Sequence, residues 1–124
     1  MMRVLLTLLV ILFFTPGFVF AGCIEGDCIN GHGKYTYPDG SVYKGDFKNG
    51  KMHGYGTLRS SDGAIYTGQF QDNNLDGHGT LVRPNGIKYV GEFRNGKVHG
   101  QGIMTSPDGK ELKGEFRNGE FTGK

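Results

Sequence analysis

The chain of 124 residues has two cysteines, almost no excess of charge and no apolar run long enough to span a bilayer. Its 14 basic and 12 acidic residues give no electrostatic case for binding nucleic acid or an anionic membrane surface. The longest apolar stretch covers only residues 4–14, with Thr7 among them, whereas a spanning helix needs about 20. A phosphate-binding glycine loop, a nucleophile elbow and an HExxH helix are all missing. These absences remove the commonest signatures of phosphate, acyl-transfer and zinc-hydrolase chemistry.

The apolar stretch belongs to a leader. Residues 1–21 open with Arg3, run through the apolar segment, break at Pro16-Gly17 and end on the small pair Ala21-Gly22. That is the build of a secretory signal peptide. Two cleavage readings stand open. Cleavage after Val19-Phe20-Ala21 releases a chain beginning at Gly22, in which Cys23 and Cys28 are expected to pair in an oxidising compartment. Phe20-Ala21-Gly22-Cys23 also resembles the lipobox of bacterial lipoproteins, with Phe20 where leucine is usual. On that alternative Cys23 is lipidated and Cys28 is left unpaired. The expected location is secreted or periplasmic, or on the membrane surface through a lipid on Cys23. Without its leader the chain holds 13 basic and 12 acidic residues, about one domain's worth of sequence.

What the sequence has in plenty is glycine, 23 residues of it, and the glycines keep register. Tyr43-Lys44-Gly45-Asp46-Phe47 recurs every 23 residues, as Tyr66-Thr67-Gly68-Gln69-Phe70, Tyr89-Val90-Gly91-Glu92-Phe93 and Leu112-Lys113-Gly114-Glu115-Phe116. A second ladder runs Gly31-x-Gly33, Gly54-x-Gly56, Gly77-x-Gly79 and Gly100-x-Gly102. A third is Asp39-Gly40, Asp62-Gly63, Asn85-Gly86 and Asp108-Gly109. Disordered linkers do not hold three registers at once, so the period marks a repeat architecture. Asn-Gly and Asp-Gly pairs between alternating apolar positions are strong hairpin signals. One turn per period falls at Asn49-Gly50, Asn95-Gly96 and Asn118-Gly119, with Asp72-Asn73 in the second repeat, where Asn also tolerates positive φ. Another falls on the third ladder. Two turns per period mean two strands per repeat.

Alternation assigns the faces. Tyr43, Gly45 and Phe47 share one side, and Met52, Gly54, Gly56 and Leu58 share one side of the returning strand, so the aromatics can lie over glycines. Stacked repeats give ladders of Tyr43, Tyr66 and Tyr89, and of Phe47, Phe70, Phe93 and Phe116. Mixed ladders of Met52, Leu75, Val98 and Phe121 and of Tyr35, Leu58, Leu81 and Met104 join them. Such a stripe reads first as the packed face of a sheet. Because one layer cannot fully cover its own face, Tyr43, Phe47, Tyr66, Phe70, Tyr89 and Phe93 are also the expected partner-binding face.

The pattern Tyr-x-Gly-x-Phe-x-x-Gly, Gly-x-Gly-x-Leu, Asp-Gly resembles the MORN repeat (membrane occupation and recognition nexus). Full units fall at 43–65, 66–88 and 89–111, with a degenerate half repeat at 22–42 and a C-terminal half repeat at 112–124, where Leu112 stands for tyrosine. The resemblance implies an all-β fold, an elongated, twisted single-layer antiparallel sheet of consecutive hairpins. It also implies scaffolding, protein interaction and lipid contact. A Cys23–Cys28 bridge across a turn centred on Glu25-Gly26 is expected to close the first hairpin, since repeat arrays need distinct ends. Lys113, Glu115 and Arg117 decorate the last full-length strand as protected edges are decorated, so a monomer is expected.

No catalytic, metal or cofactor site follows from the repeats. His53 and His99 are equivalent positions two repeats apart, as are His32 and His78. At about 4.8 Å per strand they stand roughly 20 Å apart, too far to share an ion whose ligands lie about 2 Å away. Asp46, Glu92 and Glu115 share one register, interrupted by Gln69, with no walls to make a glycosidase cleft. The expected function is a non-catalytic scaffold for an unidentified protein partner in the cell envelope or outside the cell. The alternative is a membrane-surface lipoprotein or lipid-contacting protein.

Overall fold

The computed structural model describes residues 20–124, and every regular element in them is a strand. The leader expected over residues 1–21 lies almost wholly outside the described residues. The strands are β1 (Gly22–Gly26), β2 (His32–Thr36), β3 (Val42–Lys48), β4 (Lys51–Arg59) and β5 (Ile65–Gln71). They continue as β6 (Asn74–Val82), β7 (Lys88–Arg94), β8 (Lys97–Thr105), β9 (Glu111–Arg117) and β10 (Glu120–Phe121). Each pairs antiparallel with the next, giving one open ten-stranded meander in sequence order.

Two kinds of turn alternate, for different physical reasons. Asn49-Gly50, Asp72-Asn73, Asn95-Gly96 and Asn118-Gly119 all have positive φ at both positions, 48° and 71° at Asp72 and Asn73. These are the tight primed turns whose twist matches the strands. The third ladder folds differently from the expected repetition of that turn. Only its glycine has positive φ. Gly40 N–H donates to Tyr37 O at 2.9 Å and Tyr37 N–H to Ser41 O at 2.8 Å, a type I turn closed by a glycine bulge. Here the Asp or Asn works through its side chain. Asp39, Asp62, Asn85 and Asp108 accept the N–H of Ser41, Ala64, Ile87 and Lys110 at 2.8 to 3.1 Å.

The glycines form a line. Gly33, Gly45, Gly56, Gly68, Gly79, Gly91, Gly102 and Gly114 are mutual partners across β2 to β9. This row leaves a furrow on the inner face, and the tyrosine rings fill it. A Cβ on Gly56 would stand 2.4 Å from the Tyr43 ring, and one on Gly79 would stand 2.4 Å from the Tyr66 hydroxyl. The rings then meet the phenylalanines edge-on in one unbroken chain. Phe47, Tyr43, Phe70, Tyr66, Phe93, Tyr89 and Phe116 have successive centroids 4.9 to 5.1 Å apart at 82° to 89°. Each such contact adds about 0.5–1.5 kcal/mol beyond area burial.

Successive repeats are also stitched at their turns. Gly50, Asn73, Gly96 and Gly119 N–H donate to the carbonyls of Ile29, Met52, Leu75 and Val98 at 2.9 to 3.0 Å. A Gly79→Ala substitution puts a methyl group into the Tyr66 ring, and overpacking of this kind costs about 1–3 kcal/mol. Tyr66→Phe keeps the ring and loses only its hydroxyl bond, about 1 kcal/mol. Urea denaturation is expected to rank the two in that order. Equal midpoints would mean that the furrow relaxes around an added methyl.

Candidate interaction surfaces

Each interior repeat carries a bulge that alternation does not reveal. Gly45 pairs Gly56 and Phe47 pairs Met52, so Asp46 faces the longer segment His53-Gly54-Tyr55, with Gly54 at φ 67°. The same shift occurs at Gln69 and at Glu92. The side chain at this position closes the bulge. Asp46 Oδ2 accepts Tyr55 N–H at 3.0 Å, Gln69 Oε1 accepts His78 N–H at 2.6 Å and Glu92 Oε2 accepts Gln101 N–H at 3.3 Å. Gln69 thus ceases to be an anomaly in an acidic register, because an amide oxygen accepts as a carboxylate oxygen does. The backbone carbonyl of the same residue takes the tyrosine hydroxyl. Tyr43, Tyr66 and Tyr89 donate to Asp46, Gln69 and Glu92 O at 2.7, 2.7 and 2.9 Å.

The six aromatic residues expected to form a partner-binding face do come together, but as core. Tyr43, Phe47, Tyr66, Phe70, Tyr89 and Phe93 are at most 6% exposed. The glycine furrow and the interlocked rings let a single layer bury its own aromatic stripe, so those rings offer almost no area to a partner. The second-row aliphatics remain accessible. Leu58, Leu75, Leu81 and Met104 are only partly buried against the aromatic core. Two of them, Leu81 and Met104, join Ile87 and Val98 as the walls of a trough of about 180 Å³ around Tyr89 and Phe93, with Arg83 and Lys97 also lining it.

Cys23 and Cys28 are bonded, with Cα atoms 5.9 Å apart. The geometry differs from a bridge across a turn at Glu25-Gly26. Those residues lie in β1, paired with Lys34 and Gly33, and Cys28 sits in the loop beyond. A Cβ on Gly33 would meet Cys28 Sγ at 2.8 Å. The buried sulfur therefore covers Gly33 as the tyrosine rings cover Gly56, Gly79 and Gly102. At the other end, exposed Leu112 has no hydroxyl to offer Glu115 O. Thr122 supplies both donors instead, N–H at 2.9 Å and Oγ1 at 3.0 Å.

The histidines are spread along the sheet. His32 Nδ1 lies 3.2 Å from Asp46 Oδ1, and His78 Nε2 lies 3.8 Å from Glu92 Oε1. His99 Nδ1 accepts Asn118 N–H at 3.3 Å, while His53 Nδ1 is buried without a hydrogen-bond partner. Among the described residues no group of three His, Cys, Asp or Glu side chains is placed to hold a metal ion, and no helix is long and apolar enough to cross a membrane.

The geometry of interlocked hairpins agrees with a match to a family model. The model of the MORN repeat matches residues 22–42, 43–65, 66–88, 89–111 and 113–124, the last unit starting just after the non-aromatic Leu112. No curated protein matches the chain.

Burial holds the phenols of Tyr43, Tyr66 and Tyr89 above the ordinary tyrosine value of 10.0, Tyr66 at about 12. A raised folded-state value means a contribution that is complete below pH 10 and is lost as pH climbs through the folded value. At the acid end, Asp46 is held low, first by Tyr55 N–H and then by His32. Its contribution is present above the ordinary carboxylate range and is lost as pH falls below it. Tyrosinate absorbance and circular dichroism followed together should show these three phenols ionising only as the sheet unfolds on the way to pH 12. Full tyrosinate absorbance at pH 10.5 with an intact sheet would contradict their burial, where pH 10.5 stands about half a unit above the free phenol value.

Proposed function

This chain belongs to the MORN-repeat family, and from that premise we propose that it is a non-catalytic scaffold binding a protein partner outside the cell or in the cell envelope. MORN repeats are in general protein- or lipid-interaction modules, and their all-β scaffold is generally non-catalytic. The observation that carries the protein-binding reading is the apolar trough. Its walls, Leu81, Ile87, Val98 and Met104, stand on a rigid aromatic floor. A second such depression, lined by Tyr37, Met52 and Leu58, lies towards the other end of the same face. Binding there costs little ordering of the scaffold, because the floor is already packed.

Export is supported by the leader and by the cysteines. Disulfides persist in oxidising compartments, and a Cys23 sulfur bonded to Cys28 is not free for acylation. This favours the soluble form over the lipoprotein.

Two measurements test the reading. The intact mass of the mature protein from an exporting bacterial host is expected to start at Gly22 and to gain two alkyl groups only after reduction. A mass starting at Cys23 with acyl chains would replace it with the lipoprotein. Affinity capture from the extracellular or periplasmic fraction should return a partner that Leu81→Ser and Met104→Ser each lose by at least tenfold, with circular dichroism unchanged. Retention by both variants would move the binding site off the trough.

A further inference from the structure

The outer face, opposite the trough, sets three cations close together at its N-terminal end. Lys34 and Lys44 are direct cross-strand partners on β2 and β3. Their Cβ atoms are therefore about 4.5–5.5 Å apart, and like charges so placed are destabilising. Arg59 stands diagonally from Lys44 on β4, since Lys44 pairs Thr57 and Val42 pairs Arg59. That diagonal is about 7–8 Å. The three cations line one open basin of about 510 Å³ with Ile24, Thr36, Val42 and Thr57. No carboxylate lines it. Glu25 stands opposite Lys34 with no ion pair among the described residues, and Asp46 is engaged by His32 and by Tyr55 N–H. None of Lys34, Lys44 and Arg59 is in an ion pair among the described residues.

We infer that this basin is a docking site for an extended acidic segment of a polypeptide partner. A strand-like segment presents same-side side chains every ~6.6–6.8 Å, close to the Lys44–Arg59 diagonal. Two carboxylates, two residues apart, can each reach one cation. The Thr36 hydroxyl adds a donor, Thr57 Oγ1 lies 3.3 Å from Thr67 Oγ1 and accepts or donates there, and Val42 and Ile24, which is 48% exposed, take an apolar side chain beside them. A bilayer fits less well. Three cations on a chain of nearly balanced charge attract anionic lipid weakly, and the apolar pair between them suits a side chain rather than a headgroup. The basin lies on the face opposite the trough, and its occupation does not depend on the trough.

The test uses the full mature chain and an alternating glutamate–valine pentapeptide, with a glutamine–valine pentapeptide as control. Backbone amide NMR is expected to show shifts at Lys34, Lys44, Thr57 and Arg59 with the acidic peptide and none with the neutral one. Raising NaCl from about 0.05 to about 0.5 M should weaken the response. The double variant Lys44→Gln, Arg59→Gln should lose at least tenfold in affinity with the rest of its spectrum unchanged, while Lys44→Arg keeps it. An equal response to the neutral peptide, shifts scattered over the sheet, or wild-type affinity in the double variant would overturn the inference. So would phosphatidylserine vesicles that displace the acidic peptide, which would give the basin to a membrane.

Discussion

A phenol ring laid where a side chain has been left out is the contact on which the sheet depends. Tyr43, Tyr66 and Tyr89 occupy the furrow over Gly56, Gly79 and Gly102, and each hydroxyl ends on the carbonyl of a bulge residue. The two halves of this contact need each other. Without the glycines the rings would stand off the sheet, and without the bulge the hydroxyls would lose their acceptor, at a cost of about 1–3 kcal/mol for an unmet buried group. The edge-on phenylalanines then join one repeat to the next. A single layer thereby obtains a core, which two-layer folds obtain by stacking.

Among the described residues β1 and β10 are the outer strands of the array, and the two ends are finished with different chemistry. At the N-terminal side, a disulfide sulfur covers Gly33. At the C-terminal side, Thr122 bonds the carbonyl that Leu112 leaves open. Both devices replace one function of the interior tyrosine, the sulfur its bulk and the threonine its hydroxyl. Repeat proteins in general need capping units of this sort.

Much of this was legible in the sequence. The 23-residue period gave the meander, and Asp72-Asn73 gave a primed turn without glycine. Burial of the aromatic stripe was harder to read. Alternation says which side a residue faces and not how far the sheet closes over it. The closure comes from the row of paired glycines that takes the rings, while the positive φ of Gly54 and its equivalents interrupts the alternation. For the same reason the register of Asp46, Gln69 and Glu92 looked like broken acid chemistry, when its task is to accept one backbone N–H. Cys28 was placed on the wrong element because a strand-to-loop bridge leaves no trace in spacing.

The bond from each turn to the carbonyl 21 residues before it is the same in all four copies, and the ring contacts of the three tyrosine-bearing repeats match one another. Interior repeats are therefore interchangeable. If residues 66–88 looped out during folding, Tyr43 could receive Phe93 as it now receives Phe70. Such a shortened sheet would lack one unit's energy and nothing else. Nothing inside the array counts repeats. The two unlike ends, the sulfur at one and the threonine at the other, are the first and last marks on an otherwise unnumbered scale, and neither registers how many units lie between them.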